Sequence, residues 1–213
     1  MPGVTRGRFI TLEGGEGTGK STHAAALCEA LERRGIDTLA TREPGGAHGA
    51  DEIRKLLVEG EPGRWDPVSE LLLHYAARRE HVVRTILPAL EKGLWVVSDR
   101  FADSTLAYQG YGHGLGAEAV AHVHAVTVGD LKPDLTVILD LDPAAGLARA
   151  SQRGGGEDRY ERMALEFHGR LRQGFLEIAE AEPDRCVVID AEQDVASVGA
   201  AIWRAVESRL NLP

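Results

Sequence analysis

Short apolar runs alternate along this chain with longer stretches in which apolar side chains return every three to four residues. The runs at 9–12, 36–40, 94–98, 135–139 and 186–189 predict five short buried strands. Between the first two, Ala24, Leu27, Cys28 and Leu31 fall on one face of a helix over 22–34, and Gly35 is placed to end it. Residues 51–57 predict a short helix. Asp66-Pro67 then reads as the cap and first residue of a long one. Its stripe runs from Val68 through Leu71, Leu72, Tyr75, Val82, Val83, Ile86, Leu87 and Leu90 to Glu91, with Pro88 bending the last turn. Residues 117–128 predict an amphipathic helix, and Asp142-Pro143 caps another that reaches Arg149. Tyr160, Met163, Phe167, Leu171, Phe175 and Ile178 mark the next helix, and Val195, Val198, Ile202, Val206 and Leu210 the last. Strands alternating with helices predict an α/β fold: a five-stranded, mostly parallel sheet covered on both faces. Neither an internal repeat nor a long linker divides the chain, so residues 1–213 read as a single domain.

Composition changes this picture little. The net charge of −9 argues against general nucleic-acid or anionic-membrane binding. Polyanionic ligands would have to be drawn by local arginine clusters. Cys28 and Cys186 lie far apart within apolar patterns and read as buried reduced thiols. No apolar run approaches the roughly 20 residues needed to span a bilayer. The first eight residues carry no apolar core of a signal peptide, so a cytoplasmic location is expected. Residues 150–159 are polar and glycine-rich, lie between two helical patterns, and predict the most mobile segment.

The candidate chemistry begins after the first strand. Gly14, Gly15, Glu16, Gly17, Thr18, Gly19, Lys20 and Ser21 fit the phosphate-binding P-loop, with a helix following from Thr22. Glycines let the loop turn its N–H groups inward on an anion, and the helix N-terminus adds donors and partial positive charge. Lys20 is placed to reach the β- and γ-phosphates of ATP, and Ser21 to hold Mg²⁺. The loop alone does not choose among switch GTPases, ATPases and small-molecule kinases. The guanine-reading Asn-Lys-x-Asp signature is missing, since the only asparagine is Asn211. Asp99, at the end of the third strand, is either an acid that holds Mg²⁺ through water or orients a phosphate, or a helix cap.

Arginines carry the next inference. Arg42, Arg78 and Arg100 lie on or just after elements of the expected binding end; Arg153 and Arg159 lie in the glycine-rich stretch and Arg149 just before it. Guanidinium groups hold phosphate bidentately, and a kinase whose acceptor is itself a phosphate needs such a clamp. A monophosphate, with a second pKa near about 6, is mostly dianionic at neutral pH and needs no general base. An arginine on a mobile loop can neutralise the transferring phosphoryl group in cis.

These residues resemble one family. Thr41-Arg42-Glu43-Pro44-Gly45-Gly46 is similar to the REPGG element of thymidylate kinases. The stretch from Asp99-Arg100-Phe101 through Ser104-Thr105 to Tyr108-Gln109-Gly110 resembles that family's long signature. The P-loop, the stretch 72–78 and Asp158-Arg159-Tyr160-Glu161 match in order. The resemblance implies a P-loop nucleoside-monophosphate-kinase fold with a short lid at about 149–160. It implies phosphorylation of dTMP to dTDP by ATP with Mg²⁺, and a homodimer. On that likeness Lys20, Arg153, Asp99 and Glu16 are the catalytic set, and residues 14–22 hold ATP, with Ser21 and Asp99 at the metal. Arg42 and Arg100 grip the acceptor phosphate, and Ser104 is a further substrate-binding residue. Arg78 bonds the thymine ring, and Thr105 and Gln109 lie near base and sugar. Tyr108 crowds the ribose 2′ position, and Glu16 lies near the sugar 3′-hydroxyl. Arg153 corresponds to the lid arginine of the bacterial subtype, which has no arginine in the P-loop; Gly17 stands there here. The chain departs from the pattern at His74, where the family often has a base-stacking Phe, and at His113, where it usually has Arg. Another nucleotide or deoxynucleoside kinase, and a non-catalytic ATP-binding protein, remain as alternatives.

Overall fold

The computed structural model describes residues 6–152, 158–210 and 212. Strands β1 (Phe9–Glu13), β2 (Thr38–Arg42), β3 (Trp95–Asp99), β4 (Leu135–Asp140) and β5 (Cys186–Asp190) form one sheet in the order β2-β3-β1-β4-β5. Every neighbouring pair is parallel. Parallel neighbours need crossovers, and helices supply them. These are α1 (Lys20–Glu32), α2 (His48–Val58), α3 (Pro67–His81), α4 (Leu87–Glu91), α5 (Ala102–Thr105), α6 (Ala117–Thr127), α7 (Pro143–Ser151), α8 (Leu165–Ala181) and α9 (Val195–Arg209).

Alternation along β1 divides the core. Ile10 and Leu12 enter a cluster with Leu27 and Leu31 of α1 and Ile202 and Val206 of α9. Phe9 points the other way, into Leu71, Tyr75, Ile86 and Phe101. A third cluster lies under α8, where Phe167, Leu171 and Phe175 cover Ile138 and Tyr108. Each such side chain contributes about 1.5–3 kcal/mol through burial, so the two faces fix the sheet from both sides. Cys28 and Cys186 are buried free thiols, as their surroundings in the sequence imply.

The long helix read over 67–91 is interrupted. Residues Val82–Ile86 form a π-helical turn in which the Leu87 N–H bonds the Val82 carbonyl. The turn lies just ahead of Pro88, which has no N–H to donate and whose ring crowds the carbonyl four residues back. The expected bend is thus absorbed as one wider turn.

One expectation needs correction. The helix read from Tyr160 begins only at Leu165, because Ala164 is extended (ψ 151°). Tyr160 and Met163 sit in turns but still pack on the third cluster, which is why they kept the apolar period. Residues 102–112, for which periodicity predicted no element, form α5 and a π-helical segment, Leu106–Gly112. Gly110 and Gly112 leave that stretch no clean period.

Candidate active site

The chemistry gathers at the C-terminal ends of the strands, where open parallel sheets place their ligands. Asp99 at the end of β3 stands opposite Leu12 of β1 and Arg42 of β2. β1 runs into the P-loop, β2 into Arg42-Glu43, and β3 into Asp99-Arg100.

Three P-loop glycines hold backbone that side chains disfavour, with φ of 132° at Gly14, 69° at Gly17 and 89° at Gly19. Gly17 also meets α7: a Cβ there would stand 2.0 Å from the Gly146 carbonyl oxygen. α1 opens at Lys20 without a side-chain cap and without an acid in its first turn, so its N–H donors face the loop. The Thr18 hydroxyl donates to the Gly15 carbonyl (3.1 Å) and fixes the loop from inside. Lys20 Nζ donates to the same carbonyl (2.6 Å) and to Thr18 Oγ1 (3.1 Å). Burial and the nearby Arg100 charge push the Lys20 ammonium down to about 8, against the pull of Glu16 and Asp99. Ser21 Oγ donates to Asp99 Oδ2. A hydroxyl and a carboxylate side by side at the loop's end are the hard oxygen donors that Mg²⁺ prefers, so the donor set fits that ion.

Arg100 holds the centre. Its φ of 72° is in the left-handed region, rare for a residue with a side chain. The cost, about 1–3 kcal/mol for such strain, is borne by two bonds: the Arg100 N–H donates to the Leu12 carbonyl (3.0 Å), and Ser98 Oγ to the Arg100 carbonyl (2.7 Å). The turned backbone brings the guanidinium to the Gly14 carbonyl (2.9 Å), Ser104 Oγ (3.1 Å) and Glu16 Oε1 (3.1 Å). Tyr108 also donates to Glu16 Oε1, at 2.5 Å. Burial alone would raise the Glu16 carboxyl; Arg100, Lys20 and the Tyr108 hydroxyl reverse this and hold it at about 2. Beneath lies Glu13, which accepts from the Phe101 N–H (2.7 Å) and Ser104 Oγ (2.5 Å). Burial, joined by the Asp103 charge, pushes Glu13 up to about 7.

At the other end, α3 contributes Arg78. Its Nε donates to Glu43 Oε2 (2.7 Å), and its Nη2 to the Phe101 carbonyl and Thr105 Oγ1 (both 2.9 Å). The Tyr75 and Phe101 rings lie 4.7 and 5.3 Å from its Cζ. Nη1 is buried and has no partner among the described residues. Glu43 is itself held by His81 Nδ1 (2.9 Å). One turn before Arg78, His74 Nε2 and the Tyr160 hydroxyl share a hydrogen bond (2.8 Å). Burial drives the imidazole down to about 4 and the Tyr160 phenol well up, so both groups are neutral.

A cavity of about 890 Å³ joins the two ends. Of the residues expected from sequence, it brings together Glu16, Gly17, Gly19, Lys20, Ser21, Arg42, His74, Arg78, Asp99, Arg100, Ser104, Thr105, Tyr108 and Gln109. Gly14 and Gly15 line a second, small cavity instead. Thr22 is exposed on α1 and lines neither. Arg153 lies outside the described residues.

Arg159, read with the mobile arginines, is fully buried. It pairs with Glu70 and donates to the carbonyls of Leu57 (2.9 Å), Glu61 (3.1 Å) and Pro62 (3.1 Å). It therefore ties the chain beyond 158 to the α2–α3 connection. Glu70 also accepts from Gln109 Nε2 (2.9 Å), and His113 Nε2 lies 3.1 Å from it. Sequence reading missed Glu70 and Glu13, polar residues inside apolar patterns, and Arg54, which lines the cavity and donates to the Pro44 carbonyl (2.7 Å).

A parallel sheet of this order, a P-loop, and one cavity shared by a phosphate cradle and a polar, arginine-lined wall define a P-loop kinase of the nucleoside-monophosphate class. The family model described as thymidylate kinase matches residues 12–202. Two relatives named thymidylate kinase are 52% identical over 204 residues (Magnetococcus marinus; 96% of this chain, 97% of that one) and 53% over 209 residues (Caulobacter vibrioides; 98% and 100%). The crystal structure of thymidylate kinase from Ehrlichia chaffeensis superposes with a TM-score of 0.77 at 36% identity, covering 97% of this chain and 99% of that one. The chain belongs to the thymidylate kinase family.

Proposed function

We propose that this chain transfers the γ-phosphoryl group of ATP to dTMP, giving ADP and dTDP. The carrying observation is the single cavity with the P-loop at one end, Arg78 at the other, and Arg100 with Glu16 between them. ATP phosphates lie in the P-loop against Lys20. Mg²⁺, when bound at Ser21 and Asp99, screens the phosphate charge. Arg42 and Arg100 hold the acceptor phosphate. An oxygen of that dianion attacks the γ-phosphorus in line as the bond to the ADP oxygen breaks, with no proton to remove first. Arg153, from a lid at about 149–160, neutralises the moving phosphoryl group.

The base end supports a thymine. Three contacts hold the Arg78 guanidinium still, and its remaining buried nitrogen, Nη1, needs an acceptor such as a ring carbonyl. Thr105 and Gln109 flank it, and neutral His74 offers a flat face. Tyr108 closes on the sugar beside Glu16. A cytoplasmic location is part of the same reading; no described helix is long and apolar enough to cross a membrane. A homodimer is part of the reading: Val68 and Leu72 of α3 are 50% and 52% exposed, and Val126 of α6, the helix packed on α3, is 87% exposed.

Phosphoryl transfer from Mg·ATP to dTMP, dUMP, dCMP, dAMP, dGMP and free thymidine tests the substrate. A clear preference for dTMP is expected. Equal rates on the panel, a preference for thymidine, or ATP binding without turnover would each reject it.

A further inference from the structure

Behind the P-loop lies the small second cavity, of about 20 Å³, which is room for one water. Leu171 and Phe175 form its apolar side, and Gly14, Gly15 and Glu16 its roof. His168, in the first turn of α8, also lines it. This side chain is only 3% exposed, and its Nε2 has no partner among the described residues. Its other side faces the main-chain carbonyl of Tyr160, a hydrogen-bond acceptor. That carbonyl keeps the ring proton on Nδ1, so Nε2 presents a lone pair to the cavity. Burial keeps the imidazole neutral by lowering its basicity. The remaining charged lining, Asp140 and Arg172, is paired with itself at 2.7 and 2.8 Å.

Glu16 is the other acceptor here. Its Oε1 already takes both Arg100 Nη2 and the Tyr108 hydroxyl, and Oε2 takes neither. His168 and Glu16 both line this water-sized space, and two acceptors cannot bond each other. A molecule with two donors reconciles them.

We propose that a single ordered water occupies this cavity, donating one hydrogen to His168 Nε2 and the other to the Glu16 carboxylate. His168 is then a positioning residue for Glu16. It sets the free carboxylate oxygen from behind, while Arg100 and Tyr108 set the other from the substrate side. This rests on the reading of Glu16 as an acceptor-side residue.

A crystal structure of the full chain, together with steady-state kinetics of His168→Leu and His168→Gln, tests it. Density is expected for a water within about 3 Å of both His168 Nε2 and the Glu16 carboxylate. His168→Leu is expected to raise the KM for dTMP about 3- to 10-fold, the worth of one hydrogen bond, while the KM for ATP holds. His168→Gln, which keeps a polar atom at the Nε2 position, is expected to recover most of the loss. A cavity without that water, or a Leu variant with unchanged KM for dTMP, overturns the proposal, as does a Leu variant whose loss Gln does not mend. Glu16→Gln separates the two claims. An unchanged KM for dTMP there rejects the role of Glu16, while the bridging water is judged on the density alone.

Discussion

Gly17 and Gly146 meet backbone to backbone. A Cβ on Gly17 would stand 2.0 Å from the Gly146 carbonyl oxygen, and one on Gly146 would stand 2.4 Å from the Glu16 carbonyl oxygen. The P-loop and α7 are therefore fitted to each other with no room for a side chain on either. Gly146→Ala must push them apart, and a loss of about 1–3 kcal/mol of stability is expected, as for other overpacked sites. Because the displaced atoms belong to the P-loop, the KM for ATP rises as well. Denaturant melts and ATP titrations of the variant check both. Gly17→Arg is expected to lose ATP binding rather than place a guanidinium on the phosphates.

With position 17 closed to arginine, the charge on the moving phosphoryl group has to be met from elsewhere. Arg153→Ala is expected to lower kcat by about 10³-fold, in the range of other arginine fingers. Both KM values should stay near those of the parent. Single-turnover mixing reads the chemical step directly, and an undiminished rate would remove Arg153 from this role.

Lys20 gives the reaction a basic limit. Its ammonium, pushed down to about 8, carries its charge below that pH and loses it above. Bound phosphate favours the charged form, so the limb belongs to the free enzyme and shows in kcat/KM for ATP. That quantity is expected to fall as pH rises through about 8. Lys20→Arg, which cannot lose its charge, should abolish the limb while lowering activity throughout. A pH profile from 6 to 10 decides it.

Glu70 contributes to the acid side of stability. Burial works to raise its carboxyl, yet His113, His74 and Arg159 bring it from an ordinary 4.5 to about 2. A carboxyl more acidic in the folded chain than in the unfolded one stabilises the fold at every pH above its unfolded value. That gain, about 3 kcal/mol by linkage, drains away as pH falls from about 4.5 to about 2. Glu70→Gln leaves the Arg159 charge buried and unpaired, and a loss of about 3–5 kcal/mol is expected at neutral pH. The variant's stability should also depend less steeply on pH between 4.5 and 2, where Glu16 and Glu182 still contribute, and urea unfolding across that interval measures the change in slope.

Sequence pattern carried the sheet and most helices, because a strand buried on both faces and a helix with one buried stripe leave different periods. It failed where function or packing overrode period. The stretch 102–112 is helical but carries glycines and polar residues facing the cavity. Tyr160 and Met163 kept a helical spacing while lying in turns. The site was legible wherever a motif fixed spacing, as in residues 14–21 and 99–109. Arg159 was legible as an arginine but not as a buried one, since its partner Glu70 is 89 positions away. Glu13 and His168 had no local signal: their importance comes from what the fold sets against them.

The β2–β3–β1 ladder sets Asp99 opposite Arg42 on one side and Leu12 on the other. Side chains on a strand alternate between faces, so one residue inserted within β3 would carry Asp99 to the opposite face and away from Ser21. An insertion in the loop between α6 and β4, far from that end of the sheet, would move none of them. Tolerance of this enzyme to changes in chain length is thus set by counting residues in three short strands, and random insertion libraries should recover active members from loops while finding β3 closed.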